Sequence, residues 1–212
     1  MIPDNRYRAA VVTVVVLWAV GGLLALMLAI PTSAEWVQVV DDAIHRVVVV
    51  NEVAILVAAG EVLAFIGSAV VMTPFILVVA AILVFKKRWP ALWTWFLAIG
   101  ISQLLNTPLK VLYARERPLL PLVETTSYAF PSGHAITGAV VAMALVIVMA
   151  PSAPKRRYFA IAAVVYALAM AWSRVYVRAH WLSDVTAGFA FGAAAAITAA
   201  LIVDRVRIRR AA

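Results

Sequence analysis

The chain has 212 residues, of which 66% are hydrophobic and 13% are charged. This composition is far more apolar than that of an ordinary soluble domain, so it excludes a water-solvated globular fold and indicates a membrane protein. The net charge is +8, but the basic residues follow a membrane pattern, and we expect no nucleic-acid partner. Because the chain has no cysteine, disulfides, thiolate catalysis and cysteine-ligated metal sites are excluded.

Six stretches contain no charged residue, and most have the roughly 20 residues that a membrane-spanning helix requires. They are Ala9–Ile30, Val62–Phe85, Trp89–Pro108, Ala135–Pro154, Tyr158–Ser173 and Val185–Val203. We predict an all-α fold, a six-helix transmembrane bundle that forms a single domain over residues 1–212. The fifth stretch is short, so we expect its helix to extend past its polar flanks. The even number of helices predicts that both termini lie on one side.

Basic residues flank the predicted helices on the side of the membrane where both termini are predicted to lie. They are Arg6, Arg8, Lys86, Lys87, Arg88, Lys155, Arg156, Arg157, Arg205, Arg207, Arg209 and Arg210. By the positive-inside rule this side is the cytoplasm, so both termini are predicted to be cytoplasmic. The cations that remain on the outer side break the rule and lie beside the membrane, which makes them candidates for a functional site.

The segment between the first two predicted membrane helices has apolar residues at helical spacing. These are Trp36, Val40, Ala43, Ile44, Val47 and Val48, while the other faces carry Gln38, Asp41, Asp42, His45 and Arg46. We interpret the segment as an interfacial helix on the outer side, with a simple connector as the alternative.

Three polar clusters interrupt the apolar pattern, and the predicted topology puts all three at the outer edge of the membrane. In the first, K-V-L-Y-A-R-E-R-P, Lys110 and Arg117 are seven residues apart and would share one face if the helix continued beyond the membrane. Two cations on one face suit a phosphate, although an interfacial basic anchor has the same pattern. We expect Pro118 to end the helix and Arg115 to point elsewhere, pairing only with Glu116 or a lipid headgroup.

The second cluster, P-S-G-H, stands directly before an apolar helix. Ser132 and Gly133 could therefore present backbone N–H groups at a helix N-terminus, where an anion is favoured. His134 could donate a proton to a leaving oxygen, because imidazole is poised for proton transfer near neutral pH. A structural histidine at a helix start is the alternative.

The third cluster, S-R-V-Y-V-R-A-H-W-L-S-D, has His180 and Asp184 four residues apart. On a helix, the carboxylate could hold one ring nitrogen and leave the other free to attack. Arg174 adds a two-pronged donor for phosphate oxygens. A buried His–Asp hydrogen bond without catalytic function is the alternative.

Together the clusters read K-x6-R-P, P-S-G-H and S-R-x5-H-x3-D, which resembles the three-part signature of the type 2 phosphatidic acid phosphatase family. The resemblance covers roughly Val62–Val203, and every signature position is filled. The same signature occurs in vanadium haloperoxidases, bacterial acid phosphatases and glucose-6-phosphatase, so it identifies a phosphate site and not one substrate.

The resemblance implies a phosphatase mechanism at numbered positions. His180 would be the nucleophile that forms a phosphohistidine, Asp184 would fix its tautomer, and His134 would protonate the leaving group. The groups that would hold the phosphoryl oxygens are Lys110, Arg117, Arg174, the Ser132 hydroxyl and the Gly133 amide. Because side-chain cations supply the positive charge, we expect no metal and no other cofactor.

A site at the outer end of membrane helices suits a lipid whose tail stays in the bilayer. We expect polyprenyl diphosphate first, then phosphatidic acid or phosphatidylglycerol phosphate, in a small bacterial plasma-membrane enzyme. The segment Leu119–Tyr128 is a candidate for substrate selection. A transferase that passes the phosphate to an acceptor, and a noncatalytic membrane transporter or scaffold, are the alternatives from other classes.

Overall fold

The computed structural model describes residues 4–150 and 155–211, and all of the regular secondary structure in these ranges is helical. Its helices are α1 (Asp4–Ala29), α2 (Pro31–Val50), α3 (Ala54–Ile66), α4 (Ala69–Phe85), α5 (Trp89–Tyr113), α6 (Gly133–Met149), α7 (Arg156–Tyr176) and α8 (Leu182–Ala211). The all-α prediction is therefore confirmed. As expected, α7 extends past both ends of its charge-free stretch. The last residues of the predicted span Ala135–Pro154 lie outside the described part.

Helices α5, α6, α7 and α8 form the central bundle, and α6 packs against the other three. The remaining helices surround it, with α1 on α8, α3 on α7 and α4 on α5. A large apolar core lies between α4, α5, α6 and α8, and Leu83, Trp95 and Ala98 have no exposed surface there. In this core the Trp95 indole N–H donates to the Ile76 carbonyl at 3.2 Å, so the buried ring has its polar partner.

Small residues bring α6 and α8 into close contact. A Cβ atom added at Gly188 would lie 2.7 Å from the Ser132 carbonyl oxygen, and one at Gly192 would overlap the Ile136 carbonyl. The neighbouring positions of α8 are alanines with almost no exposed surface, such as Ala187. Close approach of backbones through Gly and Ala is typical of helices that pack within a bilayer. It fixes the start of α8 against the start of α6.

The structure does not confirm the six membrane crossings that the charge-free stretches predict. Among the described residues, three helical segments are long and apolar enough to cross a membrane: Tyr7–Ala29, Arg156–Tyr176 and Leu182–Arg209. The predicted continuous span over Val62–Phe85 is wrong, because α3 ends and α4 begins there with a 50° bend. If this bent pair is one broken span, the number is up to four. The presence of six membrane-spanning helices stays a prediction.

The predicted helix between the first two spans exists as α2. Of its apolar residues at helical spacing, Trp36, Val40 and Val47 are 72%, 55% and 58% exposed. The buried residues are Val37, Asp41 and Val48, and α2 packs against α1, α7 and α8. An acidic residue thus points into the bundle. The interfacial position of α2 stays a prediction.

Candidate active site

The three polar clusters meet at one end of the bundle, where α5 and α7 end and α6 and α8 begin. The Ser132 amide, at the start of α6, donates to the Asp184 carbonyl in the first turn of α8 at 3.1 Å. After α5, the Arg117 guanidinium donates to the Ala179 carbonyl in the turn that follows α7. The structure therefore brings every predicted site residue to the same end of the molecule.

Lys110 and Arg117 come together, although not on one continuous helix. Helix α5 ends at Tyr113, and the next residue, Ala114, has a left-handed φ of 41°, so the predicted continuation of the helix to Pro118 is wrong. Arg117 instead folds back from the following loop. The Lys110 ammonium donates to the Tyr128 carbonyl at 2.6 Å, and the Arg117 NH2 group donates to the same oxygen at 3.4 Å. A shared loop carbonyl thus brings the two cations close to each other.

Ser132 caps α6, and its Oγ accepts the Ala135 N–H at 3.4 Å. The prediction that its backbone amide faces an anion is wrong, because that amide is used by the Asp184 carbonyl. The hydroxyl hydrogen of Ser132 has no acceptor among the described residues and remains available. Gly133 is the first residue of α6, where backbone amides have no acceptor within the helix.

His134 is held by the break between α3 and α4. Its Nε2 donates to the Ala64 carbonyl at 3.1 Å, one of the last carbonyls of α3, which have no donor within the helix. A Cβ atom at Gly67, in the break itself, would lie 2.6 Å from the His134 ring. The absence of a side chain there allows the backbone to close over the imidazole.

His180 lies in the turn before α8, and not on the helix as predicted, since α8 begins at Leu182. Its Nδ1 is 3.5 Å from the Asp184 carboxylate, and its Nε2 is 3.1 Å from the Arg117 NH1 group. A guanidinium nitrogen only donates, so Nε2 accepts and the ring proton is on Nδ1, facing Asp184. The backbone N–H of His180 donates to the Arg174 carbonyl at 3.1 Å and fixes the turn.

Burial and neighbouring cations keep the His180 ring neutral. The pKa of His180 is lowered to about 3, mainly by burial and also by the nearby Arg117 and Lys110, while the Asp184 carboxylate opposes them. Near neutral pH the Nε2 lone pair is therefore not protonated. Burial also lowers the pKa of Arg117, again against the influence of Asp184. The site thus has an uncharged nucleophilic nitrogen next to fixed positive charge.

Arg174 is the clearest mark of an anion site. The residue is only 3% exposed, yet its Nε and NH1 atoms have no hydrogen-bond partner among the described residues. Burying charged donors without a partner is unfavourable unless an anion meets them. The neighbouring residues Lys110, Arg117 and His180 add no negative charge. A phosphate group would give the Arg174 guanidinium the acceptors that the protein does not supply.

Arg115 does not point away from the site, and the prediction that it pairs only with Glu116 or lipid is wrong. Its NH1 group donates to the Asp184 carboxylate and its NH2 group to the Asp41 carboxylate, both at 2.7 Å. It also donates to the Ser183 hydroxyl at 2.6 Å and to the Gln38 side chain at 2.8 Å. These residues link α2 to the start of α8.

Sequence reasoning missed Asp41 and Ser183 as part of this end of the molecule. A signal was present, because Val37, Asp41, Ile44 and Val48 follow the three-and-four spacing of one helix face. Two of these positions are buried apolar residues on either side of Asp41. An acidic residue within such a stripe needs a buried partner, and Arg115 is that partner.

Similar proteins identify the family of this chain. The model of the PAP2 superfamily matches residues 91–208, which is more than half of the chain. The chain belongs to the PAP2 superfamily. Phosphatidylglycerophosphatase B of Bacillus subtilis (strain 168) is 33% identical over 177 residues, covering 80% of this chain and 86% of that protein. Undecaprenyl-diphosphatase of Sulfolobus acidocaldarius is 31% identical over 122 residues, 54% of this chain and 56% of that protein.

Solved structures show the same fold. The crystal structure of a transmembrane PAP2-type phosphatidylglycerolphosphate phosphatase from Bacillus subtilis superposes with a TM-score of 0.78 at 27% identity, covering 93% of this chain and 96% of that one. Aquifex aeolicus LpxE has a TM-score of 0.60 at 22% identity over 73% of this chain and 91% of its own, which supports the fold alone. This PAP2 protein is thus a lipid phosphatase of the membrane-embedded type.

Proposed function

We propose that this protein removes the terminal phosphate of a membrane lipid through a phosphohistidine at His180, without a metal ion. The observation that carries the proposal is the buried Arg174 guanidinium, two of whose nitrogens lack any partner among the described residues. It lies in the same cluster as a neutral histidine and two further cations. A phosphate monoester or diphosphate satisfies all of these groups at once.

In the proposed reaction, Nε2 of His180 forms a bond to phosphorus as the bond between phosphorus and the leaving oxygen breaks. Asp184 stabilises the positive charge that develops on the ring. His134 begins with both ring nitrogens protonated, a state that the bound phosphate anion favours; it gives a proton to the leaving oxygen and then takes one from the water that attacks the phosphohistidine. Since the Ala64 contact uses the Nε2 side of His134, Nδ1 transfers the proton. Water hydrolysis then releases inorganic phosphate and restores neutral His180.

Positive charge in this mechanism comes from side chains. Lys110, Arg117 and Arg174 face the phosphoryl oxygens, and the Ser132 hydroxyl and the Gly133 amide complete the donors. Within the described ranges, no three His, Asp or Glu side chains group as metal ligands. We therefore expect activity to persist when divalent ions are chelated.

Apolar surface beside the site supports a lipid substrate. Leu119 and Leu120, in the loop between the first two clusters, are 81% and 78% exposed. Exposed leucines close to a phosphate site are unfavourable in water and suit contact with acyl or prenyl chains. We propose that the site opens at the extracytoplasmic face of a bacterial plasma membrane, with both termini cytoplasmic, as the distribution of basic residues predicts.

Phosphatidylglycerol phosphate is the first candidate substrate. The relative named phosphatidylglycerophosphatase B matches 80% of this chain. Polyprenyl diphosphate, the first candidate from sequence, is supported by the undecaprenyl-diphosphatase that matches 54%. Both lipids present a terminal phosphate to the same cations, so only a direct comparison ranks them, with phosphatidic acid as the third candidate.

The test is phosphate release by the purified full chain in detergent containing EDTA. The panel contains phosphatidylglycerol phosphate, polyprenyl diphosphate, phosphatidic acid and a soluble sugar phosphate. We expect release from at least one lipid, loss of release in His180→Ala, and retention in His45→Ala, because the His45 ring on α2 contacts Trp181 and has no proposed part in the reaction. Folded wild-type protein that releases no phosphate from any lipid would contradict the proposal.

A phosphotransferase would use the same histidine, so products must be identified. Adding glycerol as an acceptor separates the two reactions, because a hydrolase yields inorganic phosphate and a transferase yields phosphorylated glycerol. We expect inorganic phosphate to remain the main product. If phosphorylated glycerol were the main product instead, the function would be phosphate transfer and not hydrolysis.

A further inference from the structure

Helix α2 contributes a buried carboxylate to the catalytic end, although it lies outside all three signature clusters. Asp41 is 2% exposed. One of its oxygens accepts the Ser183 backbone N–H at 2.9 Å, and the other accepts the Ser183 hydroxyl and the Arg115 guanidinium. Ser183 is the second residue of α8, so Asp41 caps that helix from another part of the chain, where the positive end of the helix dipole favours an anion.

Arg115 bridges this carboxylate to that of Asp184. Its side chain is 12% exposed, and the two carboxylates are 1% and 0% exposed. The Arg115 contact occupies Oδ1 of Asp184. The other oxygen, Oδ2, accepts the Trp181 backbone N–H at 2.9 Å and faces Nδ1 of His180. Contacts to both of its oxygens therefore fix the rotation of the Asp184 side chain.

The charge balance has a chemical consequence for His180. The Arg115 guanidinium is shared by the Asp41 and Asp184 carboxylates. The three side chains together therefore have a net negative charge, which faces the His180 imidazole. If Asp41 were neutral, Arg115 would pair with Asp184 alone and compensate its charge. Asp184 would then stabilise the positive charge on a phosphorylated ring less well, although it would still touch the same nitrogen.

We propose that Asp41 and Arg115 are positioning residues that orient Asp184 and preserve its negative charge for His180, which makes α2 part of the working site. The inference rests on the proposed function, since it assumes that His180 becomes positively charged during turnover. Neither residue reaches the phosphate cradle in this arrangement. Their effect should therefore appear in the rate of the chemical step and not in the binding of phosphate.

The test uses Asp41→Asn, which retains the shape of the side chain and removes its charge. We expect kcat to fall about 10- to 100-fold, the usual scale for the outer partner of a catalytic group, with KM within about twofold of wild type. Inhibition by inorganic vanadate, a phosphate mimic, should be unchanged because the cations of the cradle are intact. Glu35→Gln is the matched control, since it makes the same change at an exposed position of α2 and should leave kcat unaltered.

A second variant covers the case in which Asp41→Asn does not fold. Arg115→Lys keeps the positive charge between the carboxylates but loses the fork that contacts both, and the same fall in kcat at unchanged KM is expected. Unchanged kcat in either folded variant, or equal loss of vanadate binding and activity, would overturn the inference. If wild type itself hydrolyses no lipid phosphate, the proposed function fails. An active wild type with unaffected variants refutes this inference alone.

Discussion

Two arginines at the same end of the bundle have opposite surroundings. Arg115 donates to four side chains, two of them carboxylates, whereas two nitrogens of Arg174 have no partner within the described residues. Both residues are largely buried, so burial alone does not separate them. A buried cation with its acceptors in place stabilises the fold, and one without them indicates a ligand. The comparison therefore separates Arg115, which links α2 to α8, from Arg174, which we propose binds the substrate phosphate.

The largest effect is expected when Arg115, the arginine that has its acceptors in place, is replaced. Arg115→Met leaves Asp41 and Asp184 buried without their cation, and removing one partner of a buried ion pair costs about 3–5 kcal/mol. Arg174→Met removes a buried charge whose Nε and NH1 atoms have no acceptor among the described residues, so the variant should be as stable as wild type or more stable. Thermal unfolding in detergent measures both. A lower unfolding midpoint for Arg174→Met than for Arg115→Met would reverse the assignment of the two residues.

The role of Arg174, the arginine with unpaired nitrogens, is tested by measuring activity. Arg174→Met should lower kcat about 100- to 1,000-fold, the loss seen when one donor to developing negative charge is removed, which corresponds to about 2.7–4 kcal/mol. It should also weaken inhibition by inorganic vanadate, because the phosphate mimic loses a donor. Arg46→Met, at an exposed position of α2, is the control and should retain both properties. Full vanadate inhibition in Arg174→Met would show that the guanidinium does not face the phosphate.

A smaller effect is expected where the start of α6 packs against the start of α8. A Cβ atom at Gly188 would lie 2.7 Å from the Ser132 carbonyl, so Gly188→Ala requires a backbone shift that costs about 1–3 kcal/mol. That shift also moves the capping serine, and activity should fall with stability. Gly100→Ala is the matched control, because no atom lies within 4 Å of its added Cβ. Equal unfolding midpoints for the two variants would show that the interface tolerates the methyl group.

Sequence predicted the site better than it predicted the arrangement of the helices. The residue types at the signature spacings allowed His180, Asp184 and the cations to be placed together without a structure. The break between α3 and α4 was missed because Gly67 and Ser68 lie in an otherwise apolar run. The contacts at the break are tertiary, with the His134 ring and Met170 close to Gly67. Composition along a single segment does not report such contacts.

The burial of Asp41 on α2 was missed for a different reason. In water, the apolar side of an amphipathic helix packs inward, whereas Trp36, Val40 and Val47 of α2 are exposed. In a protein that meets lipid, apolar residues are also stable outside, and polar groups that have partners gather inside. Asp41 follows the second rule. Because hydrophobicity does not distinguish a lipid-facing side from a core-facing side, the sequence pattern did not indicate which face of α2 packs against the bundle.

The smallest effect concerns the neutral histidine beside the unpaired arginine. Burial lowers the pKa of His180 from 6.5 to about 3, so the unfolded chain binds a proton in this window that the folded chain does not. Its contribution to stability is complete above pH 6.5 and is lost as the pH falls toward 3, by at most about 1.4 kcal/mol per pH unit. His180→Asn should therefore unfold with a weaker dependence on pH between 7 and 5 than wild type. His45 and His134 are present in both proteins, so the difference isolates His180, and identical slopes would mean that the ring binds its proton equally in the folded and unfolded states.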